Sequence, residues 1–232
     1  DEGRIEIEFS LVDMEFQFDK NNLTFKEKFV PRVSRTGYSN ILEAMKFMEI
    51  EGEKRTTTNT TFKTYRKVVT SVGNEIFEQK TRILVNDSLA KNFGIRLNIS
   101  SEKEIPPPPP PTVGGGEDVT NIRKKKSHVF TIGNWELEVS EVEETFQGKS
   151  RKKQTFRGYG VELEFLGEKI SDEDIQVCEA VIGLLCVCKN SGFIPGSIRD
   201  IFRPVKIPFD TRDYENVVKI LLSFYTTKGI PL

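Results

Sequence analysis

Histidine and cysteine are scarce in this sequence of 232 residues, which has one histidine and three cysteines. The lone His128 is far along the chain from Cys178, Cys186 and Cys188, a spacing unlike that of a zinc site with cysteine and histidine ligands. An odd number of cysteines does not indicate a disulfide framework either. The cysteines lie in or beside the apolar segment 177–187, which we interpret as a buried helix with core thiols. Such thiols favour a reducing compartment.

Long apolar runs and an excess of one charge are also missing. No segment approaches the roughly 20 apolar residues of a membrane-spanning helix, and no signal-peptide pattern opens the sequence. We therefore expect no membrane partner. The 34 lysines and arginines nearly balance the 35 aspartates and glutamates, so the surface is not basic throughout. Any anion site must be a local cluster, because a phosphate responds to the local field rather than to the net charge.

Proline is concentrated at residues 106–111, and three glycines follow at 114–116. Proline cannot donate the hydrogen bonds of a sheet and glycine adds flexibility, so residues 106–118 are predicted to be a flexible loop or linker. A boundary between two domains is one interpretation. We favour a loop within a single domain of residues 1–232, because the strand patterns on both sides look like halves of one site. A proline-rich ligand for an SH3-type module is a third interpretation.

Helical patterns are few. Residues 39–49 form one short amphipathic pattern. Ser171-Asp-Glu-Asp resembles a capping box, and an apolar run to about Lys189 follows it. Residues 214–225 are a third candidate helix. The C-terminal region, 171–232, is therefore predicted to be helical and to pack as a buttress on the rest of the domain.

Most of the remaining chain alternates between apolar and polar residues, which is the period of a β-strand with two different faces. Several strands carry charges at successive positions of one face, namely Glu6 and Glu8; Glu78, Lys80 and Arg82; Arg96 and Asn98; Glu136, Glu138 and Ser140; and Glu162 and Glu164. Any one of them is explained by an antiparallel sheet with one face in solvent. Together they predict a mainly β protein, a closed barrel whose charged faces line a polar tunnel, since closure also removes exposed sheet edges.

The glutamate pairs suggest a metal site. Carboxylates are hard oxygen ligands that suit Mg²⁺ or Mn²⁺, and two of them at positions i and i+2 of a strand point the same way, roughly 7 Å apart. A second pair from a facing strand would complete the site. Phosphate oxygens would be bound by nearby cations, for which the candidates are Arg66, Lys80, Arg82, Arg96 and the run 123–126. The predicted chemistry is phosphoanhydride hydrolysis, with the metal polarising a phosphoryl oxygen and an uncoordinated glutamate orienting the water.

Only two of the four consecutive cations at 123–126 can face the inside of a barrel, because side chains alternate along a strand. The sequence leaves both phases open. If Phe130 lies on the apolar face, Arg123 and Lys125 point inward, whereas an apolar-facing Val129 selects the other two cations. A solvated surface or a localisation patch is the alternative for the whole run.

These elements, in this order, resemble the RNA 5′-triphosphatases of fungi, protozoa and viruses, the mRNA-capping branch of the triphosphate tunnel metalloenzymes. The resemblance covers residues 4–167. Arg4-Ile-Glu-Ile-Glu-Phe resembles the first glutamate motif of the family and Tyr159-Gly-Val-Glu-Leu-Glu-Phe the last, and the other matching stretches are 77–83, 93–100, 123–127 and 137–143. The resemblance implies a closed antiparallel barrel of eight strands supported by a few helices.

The resemblance also implies a role for each site residue. Four catalytic glutamates are implied, of which three would coordinate Mg²⁺ or Mn²⁺ and one, Glu162, would hold the nucleophilic water; the three ligands are Glu6, Glu8 and Glu164. Phosphate binding is implied for Arg66, Lys80, Arg82, Arg96, Arg123 and Lys125. Supporting or tunnel-lining roles are implied for Glu78, Glu138 and Ser140.

Three positions depart from the family pattern. Ser10 stands where the thiamine-triphosphatase and adenylate-cyclase branch carries a lysine, which argues against that branch. Ser127 stands where another cation of the basic strand is expected. Glu138 replaces an expected aspartate.

The leading functional prediction is removal of the γ-phosphate from triphosphate-ended pre-mRNA, the first step of 5′ capping, with Mn²⁺-dependent hydrolysis of nucleoside triphosphates. The implied partners are these substrates and a separate RNA guanylyltransferase, and the implied location is the nucleus, or the cytoplasm for a viral protein. A second enzymatic interpretation is a tripolyphosphatase, thiamine triphosphatase or polyphosphate polymerase. The non-enzymatic alternative is an anion- or nucleic-acid-binding barrel with a proline-rich docking loop. Four converging glutamates disfavour it, since they would repel an anion unless a cation intervened.

Overall fold

The computed structural model describes residues 3–19, 24–87, 94–108, 119–147 and 153–190. Its strands are β1 (Arg4–Leu11), β2 (Asp13–Asp19), β3 (Thr24–Val30), β4 (Gly52–Thr61), β5 (Arg66–Thr70), β6 (Glu75–Asn86), β7 (Ile95–Glu104), β8 (Asn121–Ile132), β9 (Trp135–Gln147) and β10 (Lys153–Phe165). The helices within the described residues are α1 (Arg35–Phe47) and α2 (Asp172–Asn190).

Eight of the strands form a closed antiparallel barrel in the order β1-β10-β9-β8-β4-β5-β6-β7, and β2 pairs separately with β3. The predicted mainly β fold with a closed eight-stranded barrel is therefore confirmed. Strands β7 and β8 lie on either side of segment 106–118 in the sequence, and both belong to this barrel. Residues 109–118 of that segment lie outside the described residues, and the extent of the predicted single domain stays a prediction.

Strand register brings the charged faces together. Glu6 and Glu8 of β1 lie opposite Ser100 and Asn98 of β7, and Glu8 also lies opposite Glu164 of β10. Residues directly opposite each other on antiparallel strands project to the same side of the sheet. The alternation read along each strand therefore continues across the strands, with the charged side facing the inside of the barrel.

The apolar faces of the strands point outward and pack against the two helices. One core cluster joins Ile7 of β1, Leu97 of β7 and Leu163 of β10 to Ile41 of α1 and Leu184 of α2. Each of these side chains is at most 1% exposed, and burying such a side chain stabilises the fold by about 1.5–3 kcal/mol. The hydrophobic core thus lies outside the barrel, and the interior of the barrel is left for polar groups.

Both helices that fall within the described residues were predicted. Helix α1 begins four residues earlier than the 39–49 pattern suggested, because Ser34 caps it by accepting a hydrogen bond from the Gly37 N–H at 3.0 Å. The predicted capping box of α2 is confirmed: the Asp174 N–H donates to Ser171 Oγ at 3.2 Å, and the Ser171 N–H donates to the Asp174 carboxylate at 2.9 Å.

The remaining helical predictions have mixed outcomes. The candidate helix at 214–225 and the rest of the predicted buttress beyond residue 190 lie outside the described residues. Cys178 and Cys188 are buried, as predicted for core thiols, whereas Cys186 is only partly buried. Burial raises the pKa of the Cys188 thiol to about 11. In the described part of the chain, no helix has the length and apolar character to cross a membrane.

Candidate active site in the tunnel

The inside of the barrel is a polar cavity of about 880 Å³. Every site residue predicted from the sequence lines this cavity except Ser140; the lining members are Glu6, Glu8, Arg66, Glu78, Lys80, Arg82, Arg96, Arg123, Lys125, Glu138, Glu162 and Glu164. Ser140 is buried beside the cavity and donates a hydrogen bond to the Gly160 carbonyl at 3.4 Å. The structure therefore brings together residues that are more than 150 positions apart in the sequence.

The phase of the basic strand β8 is the one in which Phe130 lies on the apolar face. Phe130 belongs to the outer core cluster, and Arg123 and Lys125 line the cavity. Lys124 and Lys126 are exposed on the opposite face. The packing of β8 against the outer core thus places Arg123 and Lys125 in the tunnel.

Arg123, Lys125, Ser127, Glu138 and Glu162 form a group that we call the β8 cluster. The Lys125 ammonium donates to Glu162 at 2.5 Å and to Glu138 at 2.9 Å. Arg123 also donates to Glu162, at 3.3 Å, and the Ser127 hydroxyl donates to Glu138 at 2.5 Å. The side chain of Lys125 is only 8% exposed, so these contacts replace the water that it loses on folding.

The charges of the β8 cluster stabilise one another. Burial alone would raise the pKa of Glu162, but Lys125 and Arg123 outweigh burial and hold this pKa well below its usual range. Burial would likewise lower the pKa of Lys125, and Glu162 and Glu138 raise it instead. Glu162 is therefore ionised and Lys125 protonated at neutral pH, and the cluster pairs two carboxylates with two cations.

Glu6, Glu8 and Glu164 form a second group, the β1 cluster. Glu8 accepts hydrogen bonds from the Ser10 hydroxyl at 2.5 Å and from the Asn98 amide at 3.1 Å, and neither donor carries a charge. Burial and then the nearby Glu162 raise the pKa of Glu8. For Glu164, burial and then Glu6 raise the pKa to about 7. The negative charge of this cluster is therefore only partly compensated.

The cations that contact the β1 cluster are shared or exposed. Lys80 forms an ion pair with Glu6 and a second one with Glu102 at 3.1 Å. Arg4 pairs with Glu164 at 3.0 Å, but its side chain is 56% exposed, so solvent screens the pair. Lys80 nevertheless keeps its charge, because Glu6 and Glu102 overcome the effect of burial and raise its pKa.

The other predicted phosphate-binding cations differ in their contacts. Arg66 is held by Glu78 and Glu102, and Arg96 donates to the Asp87 carboxylate at 2.6 Å. Arg82 lines the cavity and is exposed, and it forms no ion pair with the described residues. Arg82 is therefore the candidate cation that needs to break the fewest contacts in order to bind an anion.

Arg55 and Glu102 are among the charged tunnel residues that sequence reasoning missed. Arg55 lies opposite Ser127 in the β4–β8 register and donates to Glu136 at 2.9 Å, so a cation from the neighbouring strand lies beside the position where β8 lacks one. Half of β4 is threonine, and its charged residues are the consecutive Glu53, Lys54 and Arg55. These charges do not alternate along one face, so they did not draw attention to Arg55. Glu102 had a signal, since it continues the same-face series of Arg96 and Asn98 along β7.

The donors of the β1 cluster fit a hard divalent cation. Within the described residues, no three acidic, cysteine or histidine side chains are arranged as a group that could hold a metal ion; the carboxylates contact cations and polar side chains of the chain instead. Carboxylate oxygens nevertheless suit Mg²⁺ and Mn²⁺. The raised pKa values of Glu8 and Glu164 mark a place where additional positive charge would be favourable. The donor chemistry is compatible with the predicted metal site, whose ligands stay a prediction.

Comparisons with known proteins identify the fold. No protein-family model matches the chain, and no curated protein matches it. The structure is similar to that of the S. pombe Pct1 RNA triphosphatase, with a TM-score of 0.50 and 13% identity over 87% of this chain and 85% of that one. The mimivirus capping enzyme triphosphatase has a TM-score of 0.48 and 12% identity, over 78% and 89% of the two chains. The Pct1 comparison shows that this chain has the fold of an RNA triphosphatase.

Proposed function

We propose that this protein is a metal-dependent RNA 5′-triphosphatase that removes the γ-phosphate from triphosphate-ended RNA. The observation that carries the proposal is the presence, in one cavity, of an undercompensated acid cluster beside an array of cations. An anion-binding barrel would have no use for the acids, because they repel an anion. The fold similarity to an RNA triphosphatase supports the same function.

Glu6, Glu8 and Glu164 would hold Mg²⁺ or Mn²⁺. When bound, the metal would polarise a phosphoryl oxygen of the substrate. The three ligands are supported by their position on the paired strands β1 and β10 and by the hard oxygen donors they offer. With Mn²⁺ we also propose hydrolysis of nucleoside triphosphates.

The cations of the tunnel would bind the phosphate chain. Arg82 lacks an ion-pair partner in the described parts of the chain, so it would bind an anion without breaking an ion pair there. Lys80 and Lys125 would exchange carboxylate contacts for phosphate oxygens, since charge-assisted hydrogen bonds to either partner are similar in kind. Glu162, which Lys125 and Arg123 keep ionised, would accept a hydrogen bond from the attacking water and orient it. Glu78, Glu138 and Ser140 would hold these groups in place.

The proposed biological setting is the first step of mRNA 5′ capping. The product would be a diphosphate-ended RNA, which would pass to an RNA guanylyltransferase on a separate chain. A nuclear location follows from this role, or a cytoplasmic one if the protein is viral.

Release of γ-phosphate from triphosphate-ended RNA tests the proposal. The wild-type protein, Glu6→Ala and Glu164→Ala are compared in Mg²⁺, in Mn²⁺ and in a chelator. We expect loss of activity in both variants and in the chelator. Glu143→Ala is the matched control, because Glu143 lies on β9 outside the cavity and pairs with the exposed Arg157.

The result also separates the alternatives. Wild-type turnover in Glu6→Ala and Glu164→Ala would show that the metal site is assigned wrongly. Rapid release from inorganic tripolyphosphate, with no release from RNA, would instead favour a tripolyphosphatase.

A further inference from the structure

The turn between β4 and β5 carries two aromatic side chains at the edge of the tunnel cavity. Phe62 and Tyr65 flank Lys63 and Thr64, and all four residues line the cavity. The rings of Phe62 and Tyr65 are stacked, with centroids 4.4 Å apart and planes 19° apart. The Phe62 N–H donates to the Tyr65 carbonyl at 2.9 Å and closes the turn, which keeps the two rings together at the rim.

The stacked pair belongs to a longer series of rings. The ring of Tyr65 contacts that of Phe77 on β6, with centroids 6.2 Å apart. The Lys67 ammonium lies 5.5 Å from the Phe77 ring centroid. Phe62 is the end of this series, because Tyr65 is its ring contact among the described residues. A further planar group would extend the stack at Phe62, and nucleobases stack on aromatic side chains in this way.

The cations of the tunnel begin next to this turn. Arg66 follows Tyr65 directly and donates to Glu102 at 3.0 Å, and Lys80 pairs with the same Glu102 at 3.1 Å. A phosphate chain bound along Arg66 and Lys80 would therefore have its other end near Phe62 and Tyr65. In a 5′-triphosphate of RNA or of a nucleotide, that end is a nucleoside.

A buried acceptor on the same wall supports this placement. Asn59 lies two residues before the end of β4 and lines the cavity. Its side-chain oxygen is buried and accepts no hydrogen bond from the described residues, and in the opposite strand Arg123 Nε is buried without a partner among the same residues. Buried polar atoms normally have partners. A ribose hydroxyl is a donor that would satisfy Asn59, and a phosphate oxygen is an acceptor that would satisfy Arg123.

We infer that Phe62 and Tyr65, with Asn59, form a nucleoside-binding subsite at the tunnel rim, in which the base stacks on Phe62 and a ribose hydroxyl donates to Asn59. This inference rests on the proposed function for the orientation of the phosphate chain. It assigns the substrate to triphosphates that carry a nucleoside, in preference to inorganic tripolyphosphate.

Binding of two hydrolysis-resistant ligands to the full chain tests the subsite. The ligands are the β,γ-imido analogue of ATP and the analogue of inorganic tripolyphosphate in which both bridges are imido groups, and titration calorimetry in Mg²⁺ measures the binding of both. We expect Phe62→Ala to weaken binding of the nucleotide analogue about tenfold and to leave the affinity for the base-free analogue unchanged. Asn59→Ala should weaken the nucleotide analogue about threefold, within the range of one hydrogen bond, and Phe62→Tyr should bind like the wild type.

Phe156→Ala is the matched control, because Phe156 is an exposed aromatic residue that contacts Phe146 and does not line the cavity. It should bind both analogues like the wild type. The subsite would be overturned if the wild type bound the two analogues with equal affinity. It would also be overturned if Phe62→Ala lost affinity for both analogues to the same extent. An equal loss of affinity for both analogues in Asn59→Ala would overturn the ribose contact.

A parallel hydrolysis assay with ATP and with a short triphosphate-ended RNA separates this inference from the proposed function. Nucleotide binding that depends on Phe62, without hydrolysis of either substrate, would contradict the proposed function and retain the subsite. Failure of both analogues to bind would contradict both. If Phe62→Ala slows hydrolysis of the triphosphate-ended RNA as much as it slows hydrolysis of ATP, the subsite binds the first nucleoside of either substrate.

Discussion

The β8 cluster and the β1 cluster share one cavity but differ in how their carboxylates are neutralised. In the β8 cluster, the buried Lys125 contacts both Glu162 and Glu138, and the partly buried Arg123 contacts Glu162. In the β1 cluster, Glu8 contacts only the uncharged donors Ser10 and Asn98 among the described residues. Burial acts on both clusters. It is overcome in the first, where the pKa of Glu162 is lowered, and not in the second, where the pKa of Glu8 is raised.

The difference shows which half of the tunnel is complete in the protein alone. Buried charges are stable when they are paired and hydrogen-bonded, and the β8 cluster meets this condition with its own side chains. The β1 cluster carries three carboxylates, and the cations next to it are Lys80, which it shares with Glu102, and the exposed Arg4. A cation from solution would complete it. The comparison therefore predicts opposite responses to the loss of one charge in each cluster.

The largest expected effect is on stability and follows from breaking the β8 cluster. Lys125→Met leaves Glu162 and Glu138 buried without their shared cation, and removal of one partner of a buried pair costs about 3–5 kcal/mol. Urea unfolding measures the free energy of unfolding. Lys124→Met is the control on the exposed face of the same strand, and we expect a change within about 0.5 kcal/mol. Equal effects of the two substitutions would mean that Lys125 is not part of a buried network.

Glu8→Gln should have the opposite effect to Lys125→Met, with stability kept and activity lost. The amide oxygen can still accept from Ser10 and Asn98, and the substitution removes a poorly compensated charge, so stability in a chelator should not fall. Loss of a proposed metal ligand should lower kcat/KM for triphosphate release about 100-fold, which is about 2.7 kcal/mol. Thermal unfolding and initial rates are measured on the same preparation. A large fall in stability would show that Glu8 is as well paired as Glu162.

Divalent metal should stabilise the folded protein through the β1 cluster. At ten times its dissociation constant, a ligand that binds only the folded state adds about 1.4 kcal/mol. We expect Mn²⁺ to raise the Tm of the wild type and of the surface control Glu143→Gln, and to leave the Tm of Glu8→Gln unchanged. This readout does not depend on activity. A rise of the same size in Glu8→Gln would place the metal elsewhere.

The smallest expected effect concerns Arg55, the cation beside the β8 cluster. Its side chain is 38% exposed and pairs with Glu136 and Glu53. Lysine cannot reproduce the forked contacts of arginine, and a partly exposed pair contributes little. Arg55→Lys should therefore raise KM for triphosphate-ended RNA about threefold, with kcat unchanged. Arg157→Lys, which lies on the surface at 83% exposure, should leave KM at the wild-type value.

Strand alternation was sufficient to predict much of the barrel and most of the charged residues that line it. A period of two separates the faces of a strand regardless of its neighbours, and for this reason Glu6, Glu8, Glu162 and Glu164 were assigned to the interior before any pairing was known. Helix α2 was predicted by the capping box at Ser171, which is also a local signal. Arg55 was missed because two charged residues precede it and threonines follow it on β4, so no alternation of apolar and polar residues marks its face.

Contacts between strands were beyond the reach of the sequence. The choice between the two phases of segment 123–126 depended on whether Phe130 or Val129 joined the outer core, and this depends on how the sheet packs. The unequal charge balance of the two clusters depends on the order of the strands in the barrel. Strand β8 lies two positions from β10 and brings Lys125 within 2.5 Å of Glu162, whereas β7 pairs with β1 and places Asn98 opposite Glu8.

The sequence by itself determined which residues share one face of each strand, because alternation along a strand is a property of the extended backbone. It also determined that acids and cations would share that face. Only the tertiary structure decided which acid meets which cation, because barrel closure and register join strands that are far apart in the chain. Burial then converts those pairings into large differences in charge stability, since a desolvated carboxylate depends on the few groups that contact it.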